Sequence, residues 1–402
     1  MERETVAAGR SRRPRGRRGQ ILAVAAEQFH RRGYHQVAMA EVAAAVGITA
    51  PALYRHFRGK PELLRQAVRS GVLELSAAVR AATLAAERPG AGSTGPGELA
   101  RALATVAVDQ RALGTLWQRD ARLLPAAQRA ELRRLLRADA RSAARAVRAA
   151  RPELEARQAE LIAWAAFSVG ASLSYHTFAP PRRRFERLLA DLLLALFSVE
   201  LDVPSDGLGP GRGVPVVQPA GRREELLAAA VRLFHERGFD NVSTDELGAA
   251  VGIAGPSLYK HFPAKSDLLA AALVRCRERL WHEVQSALCG ADRPERALAA
   301  GLAAYLDFAC CHRHYLGVMV SETERLAEPD RKAALDFRRD FLRTWVHLLQ
   351  QVHPQWDRAE ARIRVHAMFA LVNDGVRSSP WSAVGQSAPW LERLARAVLG
   401  LS

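Results

Sequence analysis

The chain has 402 residues, of which 49 % are hydrophobic and 25 % charged, with a net charge of +16 and four cysteines. That make-up fits two to four globular domains of about 100–200 residues and excludes a disordered chain, a fibre and a disulfide scaffold. The most apolar stretch, residues 188–201, is cut by Asp191 and Glu200, which excludes a membrane-crossing helix.

So basic a balance favours a polyanionic partner. Only 4 of the 58 basic residues are lysine, and Arg and Ala richness also follows from a GC-rich genome, so the charge must be located before it counts. Residues 1–17 form a basic arm carrying Arg3, Arg10, Arg12, Arg13 and Arg15. Such an arm either enters a minor groove or is a solvated tail. The apolar stretch after it is interrupted by Glu27, so no leader peptide is expected. Four cysteines in 402 residues (Cys276, Cys289, Cys310 and Cys311, all in the second half) are too few for a disulfide framework and read most simply as a reducing cytoplasm.

Residues 18–32 place Ile21, Leu22, Ala25, Ala26 and Phe29 on one face at 3.6-residue spacing, predicting an amphipathic helix. Gly33 stands where a C-cap glycine belongs. A short helix over 40–46 then ends at Gly47, and a second short helix is predicted over 50–56. Two short helices joined by a tight glycine turn are a helix-turn-helix. Val42, Val46, Ile48 and Leu53 are positioned to knit the pair together. Thr49 can cap the second helix, and Pro51 falls in its first turn, where a missing N–H costs little. The outward face of that helix is small and polar, as entry into a major groove about 12 Å wide requires.

Beyond residue 65 the strong helix formers Ala, Leu and Arg dominate, with breakers at 88–97. The predicted last helices of this half, about 156–176 and 182–199, carry apolar stripes (Leu161, Ile162, Ala165, Phe167; Leu188, Leu192, Leu193, Phe197). Their counterparts are about 358–376 and 388–399. Residues 203–220 are a Gly/Pro-rich linker able to reach roughly 60 Å.

The second half repeats the first. Residues 17–64 align with 222–269 without a gap, and 24 of the 48 positions are identical. A weaker match continues three residues out of register through Leu124/Leu326, Arg129/Arg331, Pro152/Pro354 and Phe167/Phe369. A whole module of about 200 residues is therefore duplicated. The second copy predicts a helix-turn-helix over 245–251 and 255–261, turning at Gly252. The organisation is an arm (1–17), a helix-turn-helix domain (18–65), a helical domain (66–202), the linker (203–220), a second helix-turn-helix domain (221–270) and a second helical domain (271–402). The fold class is all-α.

The two segments GITAPALYRHFRGKPELL and GIAGPSLYKHFPAKSDLL, each following a helix that ends in Phe and Gly, resemble the TetR family of bacterial transcriptional regulators. The resemblance is strong over 18–64 and 223–269. It implies a recognition surface at Thr49, Ala50, Pro51, Ala52, Tyr54, Arg55 and His56, and at Gly255, Pro256, Ser257, Tyr259, Lys260 and His261. It further implies phosphate contacts from Lys60 and Lys265 and from a hydroxyl at Ser243 or Thr244, for which the first copy has Ala38 and Met39. The chemistry of the side chains agrees, since Tyr, His, Arg and Lys all reach phosphate oxygens or guanine edges.

The resemblance implies a double-stranded DNA operator as partner. The family's homodimer would here be replaced by a monomeric pseudo-dimer, with the terminal helices either meeting between modules or serving only as each module's core. Each departs once from the pattern (Ala38-Met39 in the first, Ala254 in the second), and the copies differ in charge. Residues 16–65 hold 8 basic and 3 acidic residues, net +5, while 221–270 hold 6 and 7, net −1. An imperfectly palindromic operator follows, with the first module dominating.

The resemblance also implies a small-molecule effector in each helical domain, lipophilic or acyl-thioester in kind. Lining candidates are Trp117, Trp164, Phe167 and Tyr175, and in the second half Tyr315, Trp345, Met368 and Phe369, although aromatics at helical spacing also make plain core. Cys310 and His314 are four apart and could share a metal on one helix, but no further ligands stand at suitable spacing, so neither metal nor cofactor is expected. No phosphate loop, metal-binding helix motif or nucleophile elbow is present, so no enzymatic activity is expected.

Overall fold

The computed structural model describes residues 16–86, 95–201, 221–377 and 384–401. The basic arm before residue 16, most of the 88–97 breaker segment and the 203–220 linker lie outside the described residues. No strand occurs among those described. The chain divides into two compact units, Met1–Phe197 and Ser198–Ser402.

In the first unit α1 (Arg17–Arg32), α2 (Met39–Val46) and α3 (Ala50–His56) precede the long α4 (Lys60–Ala86). The predicted faces are the buried ones. Ile21, Ala25, Phe29, Val42, Leu53 and Phe57 are almost fully enclosed, with Leu63, Leu64 and Val68 of α4 beneath them. Burying a side chain of this size gains about 1.5–3 kcal/mol, so these residues fix the domain. Gly33 (φ 83°) ends α1 and Gly47 (φ 73°) turns α2 into α3, both in positive-φ backbone that favours glycine. The rest of the unit is α5 (Gly95–Asp109), the single turn α6 (Leu113–Thr115), a π-helical turn at Leu116–Asp120, α7 (Ala126–Ala150), α8 (Ala156–Ala171) and α9 (Arg182–Phe197). α9 packs chiefly on α5, and α4 lies along both α5 and α7.

The second unit repeats the order: α10 (Arg222–Arg237), α11 (Thr244–Ala249), a 3-10 helix at Gly255–Lys260, α12 (Lys265–Cys289), α13 (Pro294–Cys311), α14 (Arg313–Glu322), α15 (Asp330–Val352), α16 (Arg358–Arg377) and α17 (Val384–Leu399). Its helix-turn-helix core is continuous with the helical domain. Leu226, Phe234, Leu247, Leu258, Phe262 and Leu268 share one apolar cluster with Val318, Leu326 and Ala334. Two expectations change here. The last helix starts at Val384 rather than 388 and carries Pro389 inside it. Cys310 and His314 do not share a helix, because the chain breaks at His312 between α13 and α14.

Candidate nucleic-acid interface

Each interface is held by charged side chains at the mouth of its first helix. Arg17 donates to the Val46 carbonyl at 3.2 Å and Arg18 to the His56 carbonyl at 3.3 Å. The Arg18 guanidinium also lies 4.7 Å from the Phe57 ring centroid. In the second copy Arg222 donates to the Val251 carbonyl at 2.7 Å, and Arg223 sits 4.6 Å from the Phe262 ring. A cation at a helix C-terminus opposes the negative end of the dipole, so these arginines seat the short helices on α1 and α10. The reading of the sequence missed them, although the identities Arg17/Arg222 and Arg18/Arg223 in the repeat were the available signal.

The scaffold helices enter differently. In the second copy the Ser243 hydroxyl accepts from the Glu246 N–H at 3.2 Å, while Glu246 accepts from the Ser243 N–H at 2.8 Å, a reciprocal capping box. That backbone N–H, with Arg237 at 2.7 Å and the Ser243 hydroxyl, pulls the Glu246 carboxyl from its ordinary 4.5 down to about 2. The first copy keeps half of this: the Ala38 N–H donates to Glu41 at 2.7 Å, but no hydroxyl answers. The capping hydroxyl is therefore Ser243, and Thr244 follows as the half-buried first helical residue.

The recognition elements diverge more. α3 is a seven-residue α-helix whose first turn is capped by Thr49, its Oγ1 accepting from the Ala52 N–H at 3.4 Å. Leu53 points inward and is fully buried, while Thr49, Pro51, Tyr54 and Arg55 are exposed and Ala50, Ala52 and His56 are half-buried. The expected second α-helix over 255–261 is instead 3-10 over Gly255–Lys260. The physical cause is local. Gly248 and Gly255 replace Ala43 and Ala50 of the first copy. A Cβ on Gly255 would overlap the Asp245 carboxylate, and one on Gly248 would stand 2.7 Å from the Ile253 carbonyl oxygen. The glycines let the two elements close in, and Ala254 supplies no capping side chain. A 3-10 helix makes three residues per turn, so Pro256 aligns with Tyr259 and Ser257 with Lys260, a different display from α3. Tyr54 and Tyr259 remain matched at 51 % and 53 % exposed, too much for apolar anchors and suited to phosphate.

The two lysines bind inward as well as facing the interface. Lys60 donates to the His35 carbonyl at 3.2 Å and lies 4.5 Å from the Tyr34 ring. Lys265 donates to two carbonyls, Phe239 and Val242, each at 2.8 Å, and lies 4.2 Å from the Phe239 ring. Burial lowers both ammonium pKa values from the ordinary lysine value. An ammonium has three donors, so Lys60 retains more capacity for a phosphate than Lys265 does. Asp245, where the first copy has Ala40, adds negative charge at the second interface, while Asp240, where the first copy has His35, is paired with Arg325.

The proposed lining residues are only partly brought together. Trp164 and Phe167 meet edge-on at 5.8 Å on α8, while Trp117 sits in the π-helical turn and Tyr175 in the 3-10 turn after α8. In the second unit Trp345 and Phe369 meet at 5.4 Å, and Met368 is buried on α16. Tyr315 is elsewhere: it packs against the helix-turn-helix core and faces His312 edge-on. Tyr305, Phe341 and Trp281, absent from the expected set, join the Trp345 cluster. Burial pushes the Cys310 thiol up to about 11 and raises Cys311 too, which disfavours the thiolate a metal needs. Among the described residues no group of three or more His, Cys, Asp or Glu side chains is placed to hold a metal.

Both helix-turn-helix segments resemble known proteins in sequence. The model of the bacterial regulatory proteins of the tetR family matches twice, over residues 21–67 and 226–272. The HTH-type transcriptional repressor KstR2 of Mycolicibacterium smegmatis is 28 % identical over 169 residues, covering 42 % of this chain and 80 % of that protein. The HTH-type transcriptional activator FasR of the same organism is 44 % identical over 87 residues, covering 22 % of this chain and 40 % of FasR. A TetR-family regulator from Bordetella parapertussis aligns in structure over 44 % of this chain and 94 % of its own, at 20 % identity and a TM-score of 0.42.

Proposed function

As a member of the tetR family of bacterial regulatory proteins that carries the family's DNA-binding domain twice, the chain is a DNA-binding transcriptional regulator, and we propose that it is a ligand-responsive repressor acting as an intramolecular pseudo-dimer. One chain would then supply both reading heads of an imperfectly palindromic operator, with half-sites about 34–36 Å apart. The observation that carries this is the pairing of two complete helix-turn-helix domains, each with an outward Tyr, His and cation, in one polypeptide.

The heads are unequal. The first has a capped α-helix, a lysine with donor capacity to spare and a net charge of +5, against an uncapped 3-10 helix, a more fully engaged lysine and −1 in the second. Affinity for DNA grows with the number of phosphates neutralised, so the first head supplies most of the non-specific binding. An effector acts by binding the DNA-competent and DNA-incompetent states unequally.

The test is the mass of the free protein and of its complex with duplex DNA carrying a footprinted site. One chain per duplex supports the pseudo-dimer. Two chains carrying four helix-turn-helix motifs on one site would overturn it.

A further inference from the structure

The matched helices α7 and α15 carry their charge differently. On α7 Arg133, Arg134, Arg137, Arg141 and Arg145 are all exposed. At 3.6 residues per turn they fall within about a third of the helix circumference, and the row from Arg133 to Arg145 rises about 18 Å. No carboxylate among the described residues pairs with the first four, and Arg145 donates to the Ser142 hydroxyl of its own helix at 3.4 Å. The acids of α7 are engaged elsewhere: Glu131 faces Arg69 at 3.7 Å, and Asp139 is buried and accepts from the Ser76 hydroxyl at 2.6 Å. On α15 Arg339 and Arg343 match Arg137 and Arg141, but Asp336 and Asp340 stand where α7 has Arg134 and Ala138. Arg339 pairs with Asp336 at 2.9 Å and Arg343 with Asp340 at 3.3 Å. A genomic bias toward arginine acts on both helices alike and does not explain why only α7 lacks these acids.

The row lies outside the helix-turn-helix. α7 runs beside α4 in the same direction, since Arg69 meets Glu131, Ser76 meets Asp139, and the Thr83 and Ser142 hydroxyls lie 3.2 Å apart. α4 begins at Lys60, and Arg69 is already about 14 Å along it. The arginines therefore start well above α3 and climb away from it, so a duplex segment that meets them is a different one from the segment at α3. Their chemistry suits a phosphate backbone, because each guanidinium can give two parallel N–H bonds to one phosphate. A duplex carries one negative charge per about 1.7 Å of axis, so about 18 Å of it offers more phosphates than the row has arginines. A bilayer surface fits less well. Helices that lie on membranes bury large apolar side chains beside their cations, and no large apolar side chain of α7 is exposed.

We propose that the arginine row of α7 is a second, sequence-independent DNA-binding surface, which takes the phosphate backbone of a duplex segment other than the one held by the helix-turn-helix domains, so that the protein bridges two stretches of DNA. The row makes no base contact and adds no sequence preference. Its grip is electrostatic and weakens steeply with salt. The paired charges of α15 give the second unit no such surface. The proposal goes beyond the pseudo-dimer reading and does not rest on it, since the number of chains per operator is measured separately.

The test is capture of a second duplex. The full chain is held on a bead-bound duplex carrying the footprinted site and offered a free fluorescent duplex of unrelated sequence. The wild-type chain is expected to capture it. Arg133→Gln, Arg137→Gln and Arg141→Gln together should lower capture about tenfold or more and reduce its salt slope by about 2.7, three contacts at about 0.9 each, while retention on the bead-bound duplex is unchanged. Arg338→Gln, Arg339→Gln and Arg343→Gln remove the same net charge from α15 and should leave capture unchanged. A second measurement needs no variant: in the wild-type chain Arg133, Arg137 and Arg141 should be shielded from phenylglyoxal by added duplex. No capture by the wild-type chain would overturn the proposal. So would capture that survives the α7 substitutions, which would assign bridging to the two helix-turn-helix domains on separate duplexes. Equal loss in the α15 variant would reduce the effect to net charge, and unshielded α7 arginines would place the second duplex elsewhere. Shielding by phosphatidylserine vesicles but not by duplex would give the row to a membrane surface and refute the DNA assignment.

Discussion

Arg119 Nη2 donates to the Phe29 carbonyl oxygen at 2.7 Å, so a residue of the first helical domain holds the last turn of the first DNA-binding helix. The guanidinium is in turn held by Asp120 at 2.8 Å and 3.0 Å, and Asp120 is only 3 % exposed. The π-helical turn at Leu116–Asp120 is what brings both side chains to α1. The second unit makes this joint otherwise. Ser321 replaces Arg119 and bonds the Gly317 carbonyl within α14, while Arg325 pairs with Asp240 at 2.5 Å and Arg275 with Glu224.

Removing the Arg119 side chain strands a buried carboxylate. Arg119→Ala should destabilise the first unit by roughly 3–5 kcal/mol, the usual result of deleting one member of a buried ion pair. Adding Asp120→Asn should recover a large part of that loss. Urea unfolding followed by tryptophan emission, to which Trp117 in the same turn contributes, measures both. A loss below 1 kcal/mol would show the carboxylate to be solvated or otherwise held.

The recognition-helix caps can be exchanged. Thr49→Ala should cost about 1 kcal/mol of α3 stability and weaken DNA binding. Ala254→Thr supplies the missing hydroxyl to the second copy and should strengthen binding to the same duplex. Competition gel shifts decide, and a weakened Ala254→Thr variant would mean that the 3-10 form is the one adapted to DNA.

The two lysines matched between the copies, Lys60 and Lys265, should separate by role. Lys60→Met is expected to lower the slope of log affinity against log salt by about 0.9, one phosphate contact, with a small change in melting temperature. Lys265→Met leaves the Phe239 and Val242 carbonyls without their donor, and should lower the melting temperature more than it lowers the salt slope. Equal salt slopes for the two variants would refute the asymmetry between the heads.

The Glu246 box is a source of acid sensitivity. A carboxyl whose folded pKa is depressed to about 2 from 4.5 contributes stability that is present above pH 4.5 and is lost as the pH falls toward 2. Glu246→Gln should therefore lower the second helix-turn-helix's stability at neutral pH and flatten its decline across that window. Amide exchange in α11 at pH 7, 4 and 3 follows it, and parallel pH profiles for variant and wild type would exclude the box as the cause.

Sequence alone carried the duplication, the all-α class and the helix-turn-helix cores, because these depend on short-range periodicity and on glycines whose positive φ is needed where the chain turns. Phe29/Phe234, Leu53/Leu258 and Phe57/Phe262 are identical and buried in both copies for that reason. What the sequence could not decide were outcomes set by close approach between distant segments. The 3-10 winding at Gly255 follows from its contact with Asp245 ten residues earlier, and the Lys265 ammonium is committed to carbonyls more than twenty residues away. Tyr305 and Phe341 come from separate helices and look like ordinary core residues until packing gathers them on Phe369. Tyr315, read as their companion, lies instead against the helix-turn-helix core. Helical spacing tells which face is apolar, but which neighbour that face meets depends on how helices far apart in sequence cross, and only the tertiary structure fixes that.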